Sequence, residues 1–86
     1  MTLRERLVAQ ALGDILLADG FDSAFIGIGS RCGQPDVAVY DAEKCIESLV
    51  SDGMEYEEAI EYFDFNVIDA WVGPRTPMFL RKLEDE

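Results

Sequence analysis

From Asp52 to Pro74 the chain reads DGMEYEEAIEYFDFNVIDAWVGP, and its apolar positions Ala59, Ile60, Phe63, Val67, Ala70 and Trp71 recur at helical spacing along one broad side. Through the first turns the opposite side is acidic, with Glu55, Glu57, Glu58, Glu61 and Asp64. Past Asp64 the sector held by Glu57, Glu58 and Glu61 passes to Phe65, Ile68 and Val72. A helix that is apolar nearly all round is either covered on both sides or shows an apolar patch to a partner. This choice constrains a chain of 86 residues strongly, because so small a domain has one thin core with which to cover anything. Met54 is placed to staple the start of this helix, and Gly73-Pro74 is expected to stop it.

The remaining segments set the fold class. Thr2 followed by Glu5 is a capping-box pattern, and Leu3, Leu7, Val8, Ala11, Leu12, Ile15 and Leu16 continue at helical spacing, predicting a first helix up to the turn at Asp19-Gly20. Ala24 to Ile28 is short, apolar and interrupted by glycine, which fits a strand with a bulge or a close backbone approach. After the turn residues Gly33-Gln34-Pro35-Asp36, Val37 to Tyr40 gives a second strand able to pair antiparallel with the first. Asp41 suits an N-cap, with Ile46, Leu49 and Val50 as the apolar face of a short second helix ending at Asp52-Gly53. Pro77 to Leu83 is predicted as a third strand, ahead of the charged end Glu84-Asp85-Glu86. The whole of residues 1–86 is therefore expected to form a single α+β domain of order α-β-β-α-α-β. Its three-stranded, mainly antiparallel sheet would be covered by helices.

Eighteen acidic residues against seven basic ones give a formal charge of −11. Binding a phosphate backbone requires its neutralisation by Lys and Arg, and the seven here are scattered, so direct contact with nucleic acid or an anionic membrane is not expected. A partner protein with a basic surface is favoured, since complementary fields speed encounter. No apolar run spans a bilayer, and the amphipathic start of the chain is unlike a signal peptide, so a cytoplasmic location is expected.

The candidates for chemistry are few. Cys32 and Cys45 form no CxxC pattern and the chain has no histidine, so neither a zinc site nor an activated thiol is expected. Cys45 reads as a small buried hydrophobe and Cys32 as a loop residue. The loop Gly27 to Gly33 has GxGxxxG spacing, and Pro35 follows where a phosphate-binding fold would open a helix, so a structural turn is expected there. Its alternative reading is a small-molecule or nucleotide site with Arg31 as the anion contact. The carboxylates Glu55, Glu57, Glu58, Glu61 and Asp64 lie mainly opposite the apolar side, whereas catalytic pairs usually need a buried member, so a solvated or partner-binding face suits them better than catalysis. No catalytic residue, cofactor or metal is assigned.

Two strings carry a resemblance: FIGIGSRCGQPDVAVYDAEKC at Phe25 to Cys45, and DGMEYEEAIEYFDFNVIDAWVGPRTPMF at Asp52 to Phe79. Together they resemble a recurrent group of small proteins encoded in bacteriophage and prophage genomes, with the pattern FIGIGxRCGQPxVAVYDxxKCIExL and DGMxxEEAxEYFxFNVxGAWVGxxTPxF. The resemblance covers well over half the chain. Two positions depart from it: Glu55 stands where the group tends to have Ser, and Asp69 where Gly is usual. The group brings no assigned activity. What it implies is a lifestyle in which small acidic proteins inhibit host machinery, including CRISPR and restriction complexes. The expectation is then a non-enzymatic protein acting in the bacterial host cell by occupying a basic protein surface. Glu57, Glu58, Glu61 and Asp64 would supply charge and Phe65, Ile68 and Trp71 the apolar anchor. Self-association into a homodimer is the simplest interface for the same apolar patch.

Overall fold

The structure, a computed structural model, describes residues 2–83, and the predicted charged end Glu84-Asp85-Glu86 lies outside the described residues. Its sheet follows from the two short apolar strings and the turn between them. Strands β1 (Phe25–Gly29) and β2 (Val37–Asp41) pair antiparallel, and the register slips at Ile26, so that Phe25 faces Tyr40 while Gly27 already faces Val39. That slip is the bulge expected from the glycine-interrupted strand. Gly29 meets the other half of the expectation, because a Cβ there would lie 2.9 Å from the Val39 Cγ2. The connecting turn is closed by the Gln34 N–H donating to the Arg31 carbonyl at 3.0 Å, with Gly33 at φ +75°.

The predicted order α-β-β-α-α-β holds, in an α+β arrangement with a mixed sheet. After β2 the chain runs through α2 (Ala42–Ser51) and α3 (Tyr56–Tyr62), then a π-helical turn (Phe63–Ile68), and returns as β3 (Met78–Leu80) parallel to β2. A crossover of this length is what lets two neighbouring strands run parallel. The strand order is β1-β2-β3, with β2 in the centre.

Strand periodicity then assigns the two faces of the sheet. Ala38 and Tyr40 of β2 are fully buried in the core, which also takes Cys45 and Leu49 from α2, Ala59 from α3 and Phe63 from the π turn. Aromatic rings tie its centre together. Phe25 meets Tyr40 edge-on at 5.7 Å, Tyr40 stacks on Phe79 at 5.6 Å, and Phe63 meets Phe79 edge-on at 5.2 Å. Val37 and Val39 alternate with these residues and Met78 pairs beside Val39, so they belong to the opposite face, where Met78 and Leu80 are exposed.

Helix α1 (Leu3–Ala9) is shorter than its apolar spacing predicts. The Thr2 and Glu5 capping box forms, but the helix ends at Gln10. There the Leu12 N–H donates to the Leu7 carbonyl at 2.8 Å and the Ala11 N–H to Val8 at 3.0 Å, the paired bonds of a Schellman motif. Gly13 and Asp14, both poor helix formers, follow at once. Residues 12–21 then pack as an ordered loop with Ile15 buried. The Ala18 N–H donates to the Tyr40 hydroxyl at 2.8 Å, and Arg4 donates to the Gly13 carbonyl at 2.8 Å.

Ala11 takes the left-handed position of that motif at φ +61°, where α2 uses Gly53 for the same role. Left-handed backbone costs an L-residue about 1 kcal/mol or more. Ala11→Gly is therefore expected to raise the unfolding free energy by about 0.5 to 1 kcal/mol. Urea denaturation should show it as a higher midpoint at unchanged slope.

The third helix also ends before its predicted stop. Its regular part closes at Tyr62, the π turn at Ile68, and Trp71 lies beyond both. The Gly73-Pro74 segment forms a separate turn, in which the Val72 N–H donates to the Thr76 hydroxyl at 2.9 Å and the Thr76 N–H to the Gly73 carbonyl at 3.0 Å. At the other end Glu55 is the N-cap but makes no side-chain capping bond. Glu55→Ser would complete a capping box with Glu58 and is expected to add about 1 kcal/mol, read from the same denaturation midpoint.

Candidate protein-binding face

The seven residues singled out in the sequence for partner binding are all exposed. Glu57, Glu58 and Glu61 stand on the outer side of α3, while Ala59 on its inner side is buried and Ile60 half-buried. Asp64, Phe65 and Ile68 continue from them on the π turn. The chain therefore does not cover the apolar half of this segment. Phe65 and Trp71 are each 75% exposed, Val72 62% and Ile68 42%. Of the expected inner positions Phe63 is buried, Val67 is half-buried, and Ala70 and Trp71 are exposed because the helix has ended.

The structure brings six of the seven together and separates the last. Glu57 and Glu61 are one helical turn apart, and Phe65 follows four positions after Glu61 just as Ile68 follows Asp64. An acidic row thus runs directly into an apolar one. Trp71 instead lines a cavity of about 610 Å³ on the other side of the sheet, together with Gly29, Arg31, Val37, Pro74 and Met78. Sequence reasoning missed that meeting. The alternation in Val37-Ala38-Val39-Tyr40 was the available signal, since it puts the two valines on the face opposite the core.

Two further cavities border the acidic face. One, of about 320 Å³, lies between α2, α3 and the end of β3 and is lined by Asp41, Tyr56, Ile60, Asp64, Arg81 and Lys82. The other, of about 410 Å³, has Tyr62, Asn66 and Val67 on one wall and Phe21, Leu49 and Phe79 on others. No family model, curated protein or solved structure matches the chain. The reading of this face therefore rests on its own chemistry. Among the described residues no group of His, Cys, Asp or Glu side chains is arranged to hold a metal ion, and no helix is long and apolar enough to cross a membrane.

Ionisable groups in the interior serve the fold. Asp41, 6% exposed at the end of β2, accepts the Lys44 N–H at 3.2 Å as the N-cap of α2 and pairs with the Lys82 Nζ at 3.3 Å. Burial pushes its carboxyl upward, but the bond from Lys44 and the contact with Lys82 outweigh burial and hold it below the ordinary value of 3.8. A depressed carboxyl stabilises the fold fully above its unfolded value and loses that contribution as pH falls through the folded one. Asp41→Asn should therefore flatten the loss of stability below about pH 4, as followed by denaturation at stepped pH. Cys45 is pushed up to about 11 by burial and by nearby Asp41, which keeps it a protonated thiol at neutral pH, whereas Cys32 is exposed. Burial likewise raises the Tyr40 phenol, against the lowering effect of its bond from Ala18.

Proposed function

We propose that this chain is a non-enzymatic binding protein of phage or prophage type that occupies a basic surface on a host protein. The target class is a defence complex, such as CRISPR or restriction machinery, or another complex that handles nucleic acid. Such complexes hold phosphates in basic grooves, and a row of carboxylates can take the place of those phosphates. Phe65 carries the reading, being 75% exposed and continuous with Glu57, Glu61 and Asp64. A large aromatic left in water beside a charged row has the composition of an interface, with an apolar centre and a polar rim.

The charge on this face sets the test. Affinity for the isolated host partner should fall as salt rises, and converting Glu57, Glu58 and Glu61 to Gln and Asp64 to Asn should flatten that dependence. Affinity that ignores both salt and neutralisation would remove the electrostatic half of the reading. The same apolar patch offers a homodimer contact. Sedimentation would show it as a dimer that Phe65→Asp returns to monomer.

A further inference from the structure

The open face of the sheet carries a cavity of a different character from the acidic helix. Three observations meet there. First, the cavity of about 610 Å³ lies in the range of small-ligand pockets and has apolar walls from Val37, Met78, Pro35 and Pro74. Second, Trp71 lines it and is 75% exposed, although it is the largest apolar residue in the protein and its only tryptophan. Third, Arg31 lines the same cavity, and no acidic residue does. In a chain of net charge −11 this is a local reversal of sign. Both other cavities beside α3 carry carboxylates, Asp19 and Asp52 in one and Asp41, Glu43 and Asp64 in the other. Among the described residues Arg31 makes no ion pair and no side-chain hydrogen bond, so its guanidinium is not committed to the fold.

We propose that this groove binds a small planar aromatic or heteroaromatic anion, with the ring against Trp71 and the carboxylate or phosphate on Arg31. An exposed indole is a stacking surface for any flat π-system. A guanidinium offers paired N–H donors that match a carboxylate or phosphate bidentately. The turn at 31–34 opens no helix, so recognition rests on these two side chains and not on a cradle of backbone amides. Gly29 keeps the floor low, because a Cβ there would press on Val39.

The single tryptophan makes the site directly readable. Titration of the full chain with AMP and with naphthalene-2-carboxylate, following Trp71 emission, should give saturable quenching. Adenosine and naphthalene-2-carboxamide should bind at least tenfold more weakly, and Arg31→Gln should remove the preference for the anions while leaving the urea midpoint unchanged. Quenching by naphthalene-2-carboxylate alone would identify the anion as a carboxylate, and quenching by AMP alone as a phosphate. Equal quenching by charged and neutral compounds, an unaltered response in Arg31→Gln, or no saturation by either anion would overturn the proposal. Phe65→Asp should leave the titration as it is, so this outcome is read separately from that of partner binding.

Discussion

Phe63→Ala is expected to cost about 3 to 5 kcal/mol, the range for deleting a buried aromatic side chain. Phe63 is among the largest fully buried residues and opens the π turn, so its ring is buried at the point where the regular helix hands over to the exposed segment. Its edge contact with Phe79 at 5.2 Å also ties the π turn to β3. A chain of this length has a total stability of about 4 to 13 kcal/mol, so the loss would consume much or all of it. Differential scanning calorimetry should show the thermal midpoint falling by tens of degrees. Phe63→Leu, which keeps most of the volume, should recover the larger part.

Phe65→Asp, two residues further on, should do the reverse. It removes little from the core, because Phe65 lies mostly in solvent, and the unfolding free energy from urea denaturation should change by no more than about 0.5 kcal/mol. Partner affinity, however, should drop by about 2 kcal/mol or more, roughly thirtyfold, if Phe65 anchors the interface. The substitution also separates the two forces on this face. It adds a carboxylate to a surface proposed to meet a basic one, so attraction between charges alone would tighten binding, and weaker binding assigns the loss to apolar contact. Ile68→Asp should act the same way, and a titration of isolated partner against each variant would measure both.

Local chemistry made much of this fold legible in the sequence. Glycines within Phe25 to Gly29 announced the bulge and the close approach, Asp41 announced an N-cap, and Cys45 announced a buried thiol. What failed was the length of elements: β3 spans only Met78–Leu80 where Pro77 to Leu83 was expected, and two helices stop early. Periodicity persisted through Leu12, Ile15 and Leu16, yet Ala11 turned left-handed where the Leu12 N–H closed back on the Leu7 carbonyl in the capping motif, and Ile15 found the core from a loop instead. Beyond Asp64 the sequence showed that the helix became apolar all round but could not show whether the chain would cover it. The answer depended on where β3 returned, and a parallel return beside β2 engages Phe63 and Phe79 and leaves Phe65 outside. The alternation in Val37 to Tyr40 marked the open face of the sheet, but that Trp71 and Arg31, forty residues apart, line one cavity on it depends on where the chain returns after the π turn.

The central claim is that residues 57–68 form the surface by which this chain meets a host protein. Amide hydrogen exchange, measured on the chain alone and bound to its isolated partner, reads that surface directly. Binding should slow exchange at the amides of Asp64 to Ile68 and along the outer side of α3, while residues 12–21 and the turn at 31–34 exchange as before. Protection confined to those other segments, with 57–68 unchanged, would contradict the claim.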